Sequence, residues 1–375
     1  REKNIMKKIL IISTVARQFY LFEKGNIEVL KSLGYEVHGA ANLNETNERL
    51  NEVDITLHHF NIQRSPFSLK NFKAYKELKK IIKKNHFDVV HCHSPMGGVL
   101  GRIAAKSAKI KRIVYTVHGF HFFKGAPVIN WLIFYPIEKW LSRYTDVLIT
   151  INHEDYKRTK SKLNAKRVEY IPGIGVDLKK INLIALNKEE KRKDLNLLKD
   201  DIVILSIGEL NKNKNHKIAI KALSNISNKQ IQYLICGQGY ELEKLRKLRN
   251  KLGLNDQVQF LGYRNDILEI LQIADVFVLP SFREGLSVSL MEALASGLPV
   301  VCSKIRGNVD LIEDKLGGYL MDPNDVNSYA NAFKILITDL NLRQKMRYFD
   351  LRKIKEFDSI VVNSTMKLIY EQLFL

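Results

Sequence analysis

The amino-acid sequence predicts an α/β protein built as two doubly wound domains, and three observations carry that prediction. The chain has 375 residues, more than one hydrophobic core ordinarily serves. Ten short apolar runs rich in Val, Ile and Leu alternate with longer stretches of helical period, the pattern of parallel strands covered on both faces. The runs fall into two series with "YIPGIGVD", Tyr170 to Asp177, between them. Its proline and two glycines continue neither a helix nor a central strand. The expected domains are therefore 1–177 and 178–360, with a closing helix at about 361–375 packing back on the first. A hydrophobic fraction of 45% and a charged fraction of 27% suit a globular chain with a large core. No run approaches the roughly 18 to 20 apolar residues of a membrane-spanning helix.

The first element is "KILIIS". Its lead, "REKNIM", is basic, but no small-residue cleavage site follows the apolar run. It reads as a buried strand rather than a signal peptide, with Met6 as the natural start and the first five residues as an extension. "YEVHGA", "DVVHCH", "RIVYTV" and "DVLITI" complete the first series of strands. Between them, "SLKNFKAYKELKKIIKK", Ser68 to Lys84, carries apolar residues at 69, 72, 75, 78, 81 and 82 with lysines between. This is an amphipathic helix whose apolar face covers the sheet and whose basic face suits anionic lipid. "GFHFFKGAPVINWLIFYPIEKW", Gly119 to Trp140, is aromatic enough to be either core or a lipid-facing segment. After the break, "LNKEEKRKDLNLLKDD" fits a surface helix. "DIVILSIG", "IQYLICG", "QVQFLG", "DVFVLP" and "LPVVCS" are the second series, and "SIVVNSTMKLIYEQLFL" closes the chain. Cys92, Cys236 and Cys302 end buried runs at wide spacing, which argues for reduced thiols and against disulfides.

The formal net charge of +20 implies an anionic partner: phosphate groups, acidic lipid or nucleic acid. The chain has no zinc-finger spacing, basic-region heptad or aromatic RNA-binding signature, so no nucleic acid is expected.

Three constellations offer chemistry. In "SFREGLSVSLMEALASGLPVV" a strand ends at Pro280, a turn follows, and a helix runs to a stop at Gly297. Glu284 lies in the turn, at the carboxyl edge of the sheet where ligands of open α/β sheets bind. Glu292 has a structural reading, since Ser289-x-x-Glu292 has capping-box spacing. Amides at the helix start suit a phosphate, and the two carboxylates suit hydroxyls. A nucleoside-diphosphate sugar has both kinds of group. In "SIGELNKNKNHKIAIKAL", Lys212, Lys214 and Lys217 surround a helix N-terminus, where a bound diphosphate would offset their unfavourable interaction with the helix dipole. "CGQGYE" lacks the third glycine of a dinucleotide fingerprint and reads as a tight strand-to-helix turn. Finally, His91, His93, His118 and His121 cluster at strand ends, but no neighbouring carboxylate or cysteine in sequence completes a metal shell, so no metal is expected. His118, before Gly119, reads as a substrate contact; His91 and His93 read as structural.

These motifs together resemble the family 4 glycosyltransferases, retaining enzymes of the GT-B fold. "EGLSVSLMEALASGLPVV" resembles the family's E-x7-E segment and "GELNKNKNH" its phosphate loop. "ICGQGYELEKL" with "VQFLGYRNDI" resembles the next two strands, and "KIRGNVDLIEDKLGGYLMDPND" the segment closing the donor site. The resemblance spans residues 200–330 in order, and more loosely the first half through "VVHCHSP", "VYTVHGFHF" and "IEKWLSRYTDVLITI". It implies two Rossmann-like domains facing each other across a cleft that holds the site. It also implies that Glu284 holds hydroxyls of the transferred sugar and Glu292 the ribose hydroxyls. By the same resemblance, amides of Gly285, Leu286, Ser287 and Val288, with Lys214, would bind the diphosphate. The resemblance likewise implies that backbone near Tyr263 and Arg264 would meet the base and that His118 would contact the sugar and the acceptor hydroxyl. Two departures stand out. Glu209 replaces the usual arginine beside the phosphate-loop glycine, and the first turn, "STVARQFYLF", lacks the usual glycine pair, leaving Arg17 or Gln18 to substitute.

The expected activity is metal-independent, cofactor-free, retaining transfer from a UDP-sugar. The expected acceptor is an undecaprenyl-linked saccharide in capsule, exopolysaccharide or lipopolysaccharide assembly. The expected location is cytoplasmic, peripheral on an anionic membrane. A nucleotide-sugar epimerase or hydrolase, and a non-enzymatic nucleic-acid binder, are the alternatives.

Overall fold

The computed structural model describes residues 6–44 and 48–375; the five residues read as an extension lie outside these. The chain divides into two compact units, Arg1–Ile174 with Ser359–Leu375, and Gly175–Asp358.

The first unit carries a seven-stranded sheet: β1 (Lys8–Val15), β2 (Glu36–Asn42), β3 (Thr56–His59), β4 (Val89–His93), β5 (Arg112–Val117), β6 (Val147–Thr150) and β7 (Arg167–Tyr170). Their order is β3-β2-β1-β4-β5-β6-β7, and every pair is parallel. The central strands are buried on both faces, which is why they read as unbroken apolar runs. Helices Lys70–Asn85 and Pro95–Ser107 pack Leu78, Ile82, Leu100 and Ala104 against Leu10, Ile12, Val90 and Cys92 on one face. The closing helix Ser359–Glu371 belongs to this unit. Its Tyr370 hydroxyl bonds His91 Nδ1 at 2.7 Å, and Arg167 reaches Gln372 at 3.1 Å.

The second unit carries β8 (Ile202–Ile207), β9 (Ile231–Cys236), β10 (Val258–Gly262), β11 (Val276–Leu279), β12 (Val300–Ser303) and β13 (Gly318–Met321), ordered β10-β9-β8-β11-β12-β13 and parallel throughout. Ile218, Leu223, Tyr233, Ile235, Val278 and Phe333 anchor its core. The three cysteines are buried and free. Among the described residues no helix is long and apolar enough to cross a membrane.

Two expectations are corrected. The helix Lys70–Asn85 does not bury all of its apolar residues. Its buried stripe is Asn71, Ala74, Leu78 and Ile82, at helical spacing but rotated away from Leu69 and Phe72, which are 80% and 73% exposed. The aromatic segment is neither wholly core nor wholly surface. Phe120 and Phe122 are buried, whereas helix Val128–Ser142 buries only Glu138, Leu141 and Ser142 and exposes Val128, Ile129 and Leu132.

Candidate active site

In the second unit, β8 ends at Ile207, and a polar loop that opens with Gly208 leads to helix His216–Ser224. Asparagines shape this loop. Asn211 Oδ1 accepts the Lys214 amide at 2.9 Å, and Asn213 Nδ2 donates to the Arg283 carbonyl at 2.9 Å. Asn215, in the left-handed region at φ 54°, donates to the carbonyls of Pro280 and Pro323. The Phe282 amide in turn bonds the Asn213 carbonyl at 2.8 Å. The loop is thereby fixed to the turn that carries Glu284. Lys214 Nζ lies 2.7 Å from Glu284 Oε1, an ion pair with 19% and 13% of its two side chains exposed. The fold thus joins the two residues separately assigned to phosphate and sugar. Lys212 and Lys217 are exposed and line a cavity beside the loop with Asn211, Asn213 and His216.

Beyond Glu284 the chain enters helix Val288–Ala295. The cap is Ser287, whose Oγ accepts the Leu290 amide at 3.4 Å. The capping box read at Ser289 is therefore corrected: the helix begins two residues earlier than that spacing implied, and Glu292 is its fifth residue. The Leu286, Ser287 and Val288 amides donate to no acceptor among the described residues, as expected of a helix start that leaves its first donors free. Glu292 is half-buried, and its carboxylate has no hydrogen-bond or ion-pair partner among the described residues. Burial pushes its carboxyl up to about 7, with weak opposition from Lys180. Gly237 is also essential to this edge: a Cβ there would stand 1.9 Å from the Gly208 carbonyl oxygen.

Glu209 is exposed, and its side chain has no hydrogen-bond or ion-pair partner among the described residues. The Arg264 side chain is committed to Asp266, with Nε 2.8 Å from Oδ1, and Lys191 joins the same carboxylate. The Arg264 backbone, which the resemblance places against the base, makes no part of this ion pair.

In the first unit, Gln18, Glu23, His93 and His118 form one cluster. Gln18 Nε2 lies 3.0 Å from Glu23 Oε1 and 3.3 Å from His118 Nε2, while His93 Nδ1 lies 2.9 Å from Glu23 Oε1 and 3.2 Å from His118 Nε2. Burial would raise the Glu23 carboxyl, but His93, with His118 and His91, outweighs it and lowers the group to about 2. Burial, reinforced by His93, lowers His118 to about 4 despite Glu23. An ionised Glu23 only accepts, so Gln18 must turn its NH2 toward it and donate its second proton to His118 Nε2. The His118 proton then sits on Nδ1, which has no partner among the described residues. The expectation that no carboxylate completes a shell around these histidines is corrected: Glu23, His93 and His118 place three potential metal ligands within 4.8 Å of one another. Glu23 is remote from both histidines in sequence, so only the fold reveals it. His91 is satisfied on both nitrogens, by Tyr370 and Thr116, which leaves neither free for a ligand. Arg17 lies one residue from Gln18, exposed, with no ion-pair or hydrogen-bond partner among the described residues.

Two family models match the chain, one for glycosyl transferases group 1 over residues 187–350 and one for glycosyl transferase 4-like proteins over residues 8–152. A Bacillus subtilis protein named as glycosyltransferase EpsD is 37% identical over 369 residues, 94% of this chain and 96% of its own. The Escherichia coli UDP-Gal:alpha-D-GlcNAc-diphosphoundecaprenol alpha-1,3-galactosyltransferase is 34% identical over 288 residues, 74% of each chain. Anabaena HepE, solved in complex with UDP and glucose, aligns over 98% of this chain and 100% of its own with a TM-score of 0.82; at 20% identity the likeness is one of fold.

Proposed function

The chain belongs to the family 4 glycosyltransferases and has their GT-B fold, and from that premise we propose that it transfers a sugar, with retention, from a UDP-sugar to a lipid-linked saccharide in cell-surface polysaccharide assembly. Family membership displaces the reading of a non-enzymatic nucleic-acid binder. The observation that carries the proposal is the sheet edge of the second unit. Free amides at a helix start are followed there by an unpaired, half-buried carboxylate and preceded by the Lys214–Glu284 pair. That sequence of donors and acceptors matches ribose, diphosphate and sugar in order. The named activity of the Escherichia coli relative, which uses UDP-galactose and a diphosphoundecaprenol acceptor, supports both substrate classes.

In this reading the bond between the sugar and the diphosphate breaks while the acceptor oxygen bonds the anomeric carbon on the same face. The proton of the acceptor hydroxyl passes to the departing phosphate oxygen. The amides of Leu286, Ser287 and Val288 and the Lys214 ammonium stabilise the charge that grows on the diphosphate, where preorganised donors act most strongly. Glu284 accepts sugar hydroxyls and holds Lys214 in place when the site is empty; Glu292 accepts the ribose hydroxyls. Neutral His118 offers its Nδ1 proton to a sugar or acceptor oxygen. No step requires a metal.

The test is a thermal-shift panel of nucleotide sugars followed by transfer assays with lipid-linked saccharides, before and after exhaustive chelation. Donor at 100 times its dissociation constant adds about 2.7 kcal/mol of stability. UDP-sugar stabilisation, an α-linked product and chelation-insensitive rates are expected. Equal donor turnover without acceptor would instead mark a hydrolase or epimerase. Activity lost on chelation and restored by zinc would convert Glu23, His93 and His118 into a metal site.

A further inference from the structure

Two cavities of the first unit share a border, and they differ sharply in chemistry. One, of about 1120 Å³, is lined by amides, hydroxyls and cations, among them Asn42, Asn61, Gln63, Lys70 and Lys73. The other, of about 480 Å³, is walled by Met96, Val99, Phe120, Phe122, Phe134 and Ile137. Thr14, Val15, Arg17 and Arg64 line both. Arg17 and Arg64 are exposed, and neither has an ion-pair or hydrogen-bond partner among the described residues. The carboxylate lining the apolar cavity is paired: Glu138 lies 2.7 Å from the fully buried Arg102 and also accepts from Tyr115. Apolar side chains continue out of this region into solvent. Phe67 and Leu69 follow Arg64 and are 77% and 80% exposed, and helix Val128–Ser142 presents Val128 and Leu132.

We propose that this is the acceptor site, and that it recognises a diphosphate carrying a saccharide on one side and a long hydrocarbon chain on the other. The inference rests on the reading of the acceptor as lipid-linked and deepens it. Arg17 and Arg64 bind the diphosphate at the border of the two cavities, where two unpaired guanidiniums match its charge and its paired oxygens. The saccharide lies in the polar cavity, whose amides serve hydroxyls. The hydrocarbon lies along the apolar cavity and leaves beside helix Val128–Ser142. Lys70 and Lys73 add positive charge at the polar end, as an anionic lipid requires. A neutral glycolipid would leave both arginines without a counter-charge, and a soluble oligosaccharide would leave the apolar cavity unfilled.

The chain's two tryptophans, Trp131 and Trp140, both lie in that helix, so emission excited selectively at tryptophan reports on the helix beside the apolar cavity. The probe is geranylgeranyl diphosphate, titrated against the parent and against the R17A/R64A double variant. Saturable change in tryptophan emission is expected in the parent. In the variant it should weaken by about tenfold or more, the order expected for losing charge-assisted contacts, with an unchanged melting midpoint because both arginines are exposed and unpaired. Equal affinity in parent and variant overturns the proposal, as does no saturable change in the parent. Phosphatidylglycerol vesicles form a second arm. If they change the emission in the same arginine-dependent way, the arginines read membrane headgroups and the proposal also fails. Probe binding without any sugar transfer would refute the proposed activity and leave this site standing. Transfer to a lipid diphosphate with an unaltered KM in the double variant would do the reverse.

Discussion

Lys214 and Glu284 are each the other's counter-ion, and this sets what their substitution should do. Lys214→Ala removes the cation that the phosphate loop pairs with Glu284. Glu284→Ala removes a sugar-hydroxyl acceptor and frees Lys214 from its 2.7 Å partner. Each variant should lower kcat/KM by at least about tenfold, the order of one lost charge-assisted contact at a developing anion. Both should remain folded, because the pair stands at the edge of the sheet and not within the core; circular dichroism and a melting curve check that. Near-normal rates in both would refute the donor-site assignment. Glu292 gives a different signature. Its carboxyl is held up at about 7 by burial, and ribose hydroxyls donate best to the ionised form. Lowering the pH through about 7 therefore protonates it and should weaken donor binding, while raising the pH should strengthen binding to a plateau. Glu292→Gln should bind donor more weakly and lose that dependence. Calorimetric titration of UDP across this range measures both, and a pH-independent parent would show that Glu292 does not meet the ribose. The sequence shows Glu284 and Glu292 plainly, because few residues in that apolar segment are charged. It does not show Glu23, whose partners His93 and His118 reach it only through the order of the strands.

At the level of elements, the ten apolar runs all became strands, and the three strands left unread share one physical reason. β3 and β7 are the edges of the first sheet and β13 is an edge of the second. "TLHH" and "RVEY" are only half-buried or exposed, and of "GYLM" only Gly318 is buried. An edge strand needs no continuous apolar run, so periodicity carries little signal there. The helix start at Ser287 is hard to read from sequence for a related reason: Ser287 and Ser289 are both good caps, and only the backbone decides between them. The "CGQGYE" turn was placed, but its glycines were not explained by sequence. Gly237 has φ 153° and no room for a Cβ beside Gly208; a Cβ on Gly239 would likewise stand 2.4 Å from the Leu210 carbonyl oxygen. These glycines let β9's loop lie against the start of the phosphate loop. Gly237→Ala should displace that loop, lower the melting midpoint by several degrees and abolish UDP stabilisation. A variant that melts like the parent and still binds UDP would mean that the loop is not held by this contact.

At the scale of the whole molecule the question is where a net charge of +20 acts. Much of it is local. Helix Lys70–Asn85 contains seven lysines, and its exposed Phe72 stands among them. Basic side chains with apolar ones between them suit the surface of an anionic membrane, where each cation near the surface contributes about 1 kcal/mol and apolar residues add burial. The same surface would bring the chain to a lipid-linked acceptor without any membrane-spanning helix. Binding to vesicles should therefore require anionic lipid and weaken steeply with salt, because the Debye length shrinks from about 10 Å at 0.1 M to about 3 Å at 1 M. Replacing the exposed Lys76, Lys80 and Lys83 together by glutamine should weaken vesicle binding while leaving transfer to a detergent-dispersed acceptor near the parental rate, since none of the three lines either cavity of the first unit. Co-sedimentation with phosphatidylglycerol and with phosphatidylcholine vesicles at rising salt measures the first effect, and a detergent assay the second. Equal binding to both lipids, or no loss on the triple substitution, would show that this face does not meet the membrane and that the charge serves the two substrates alone.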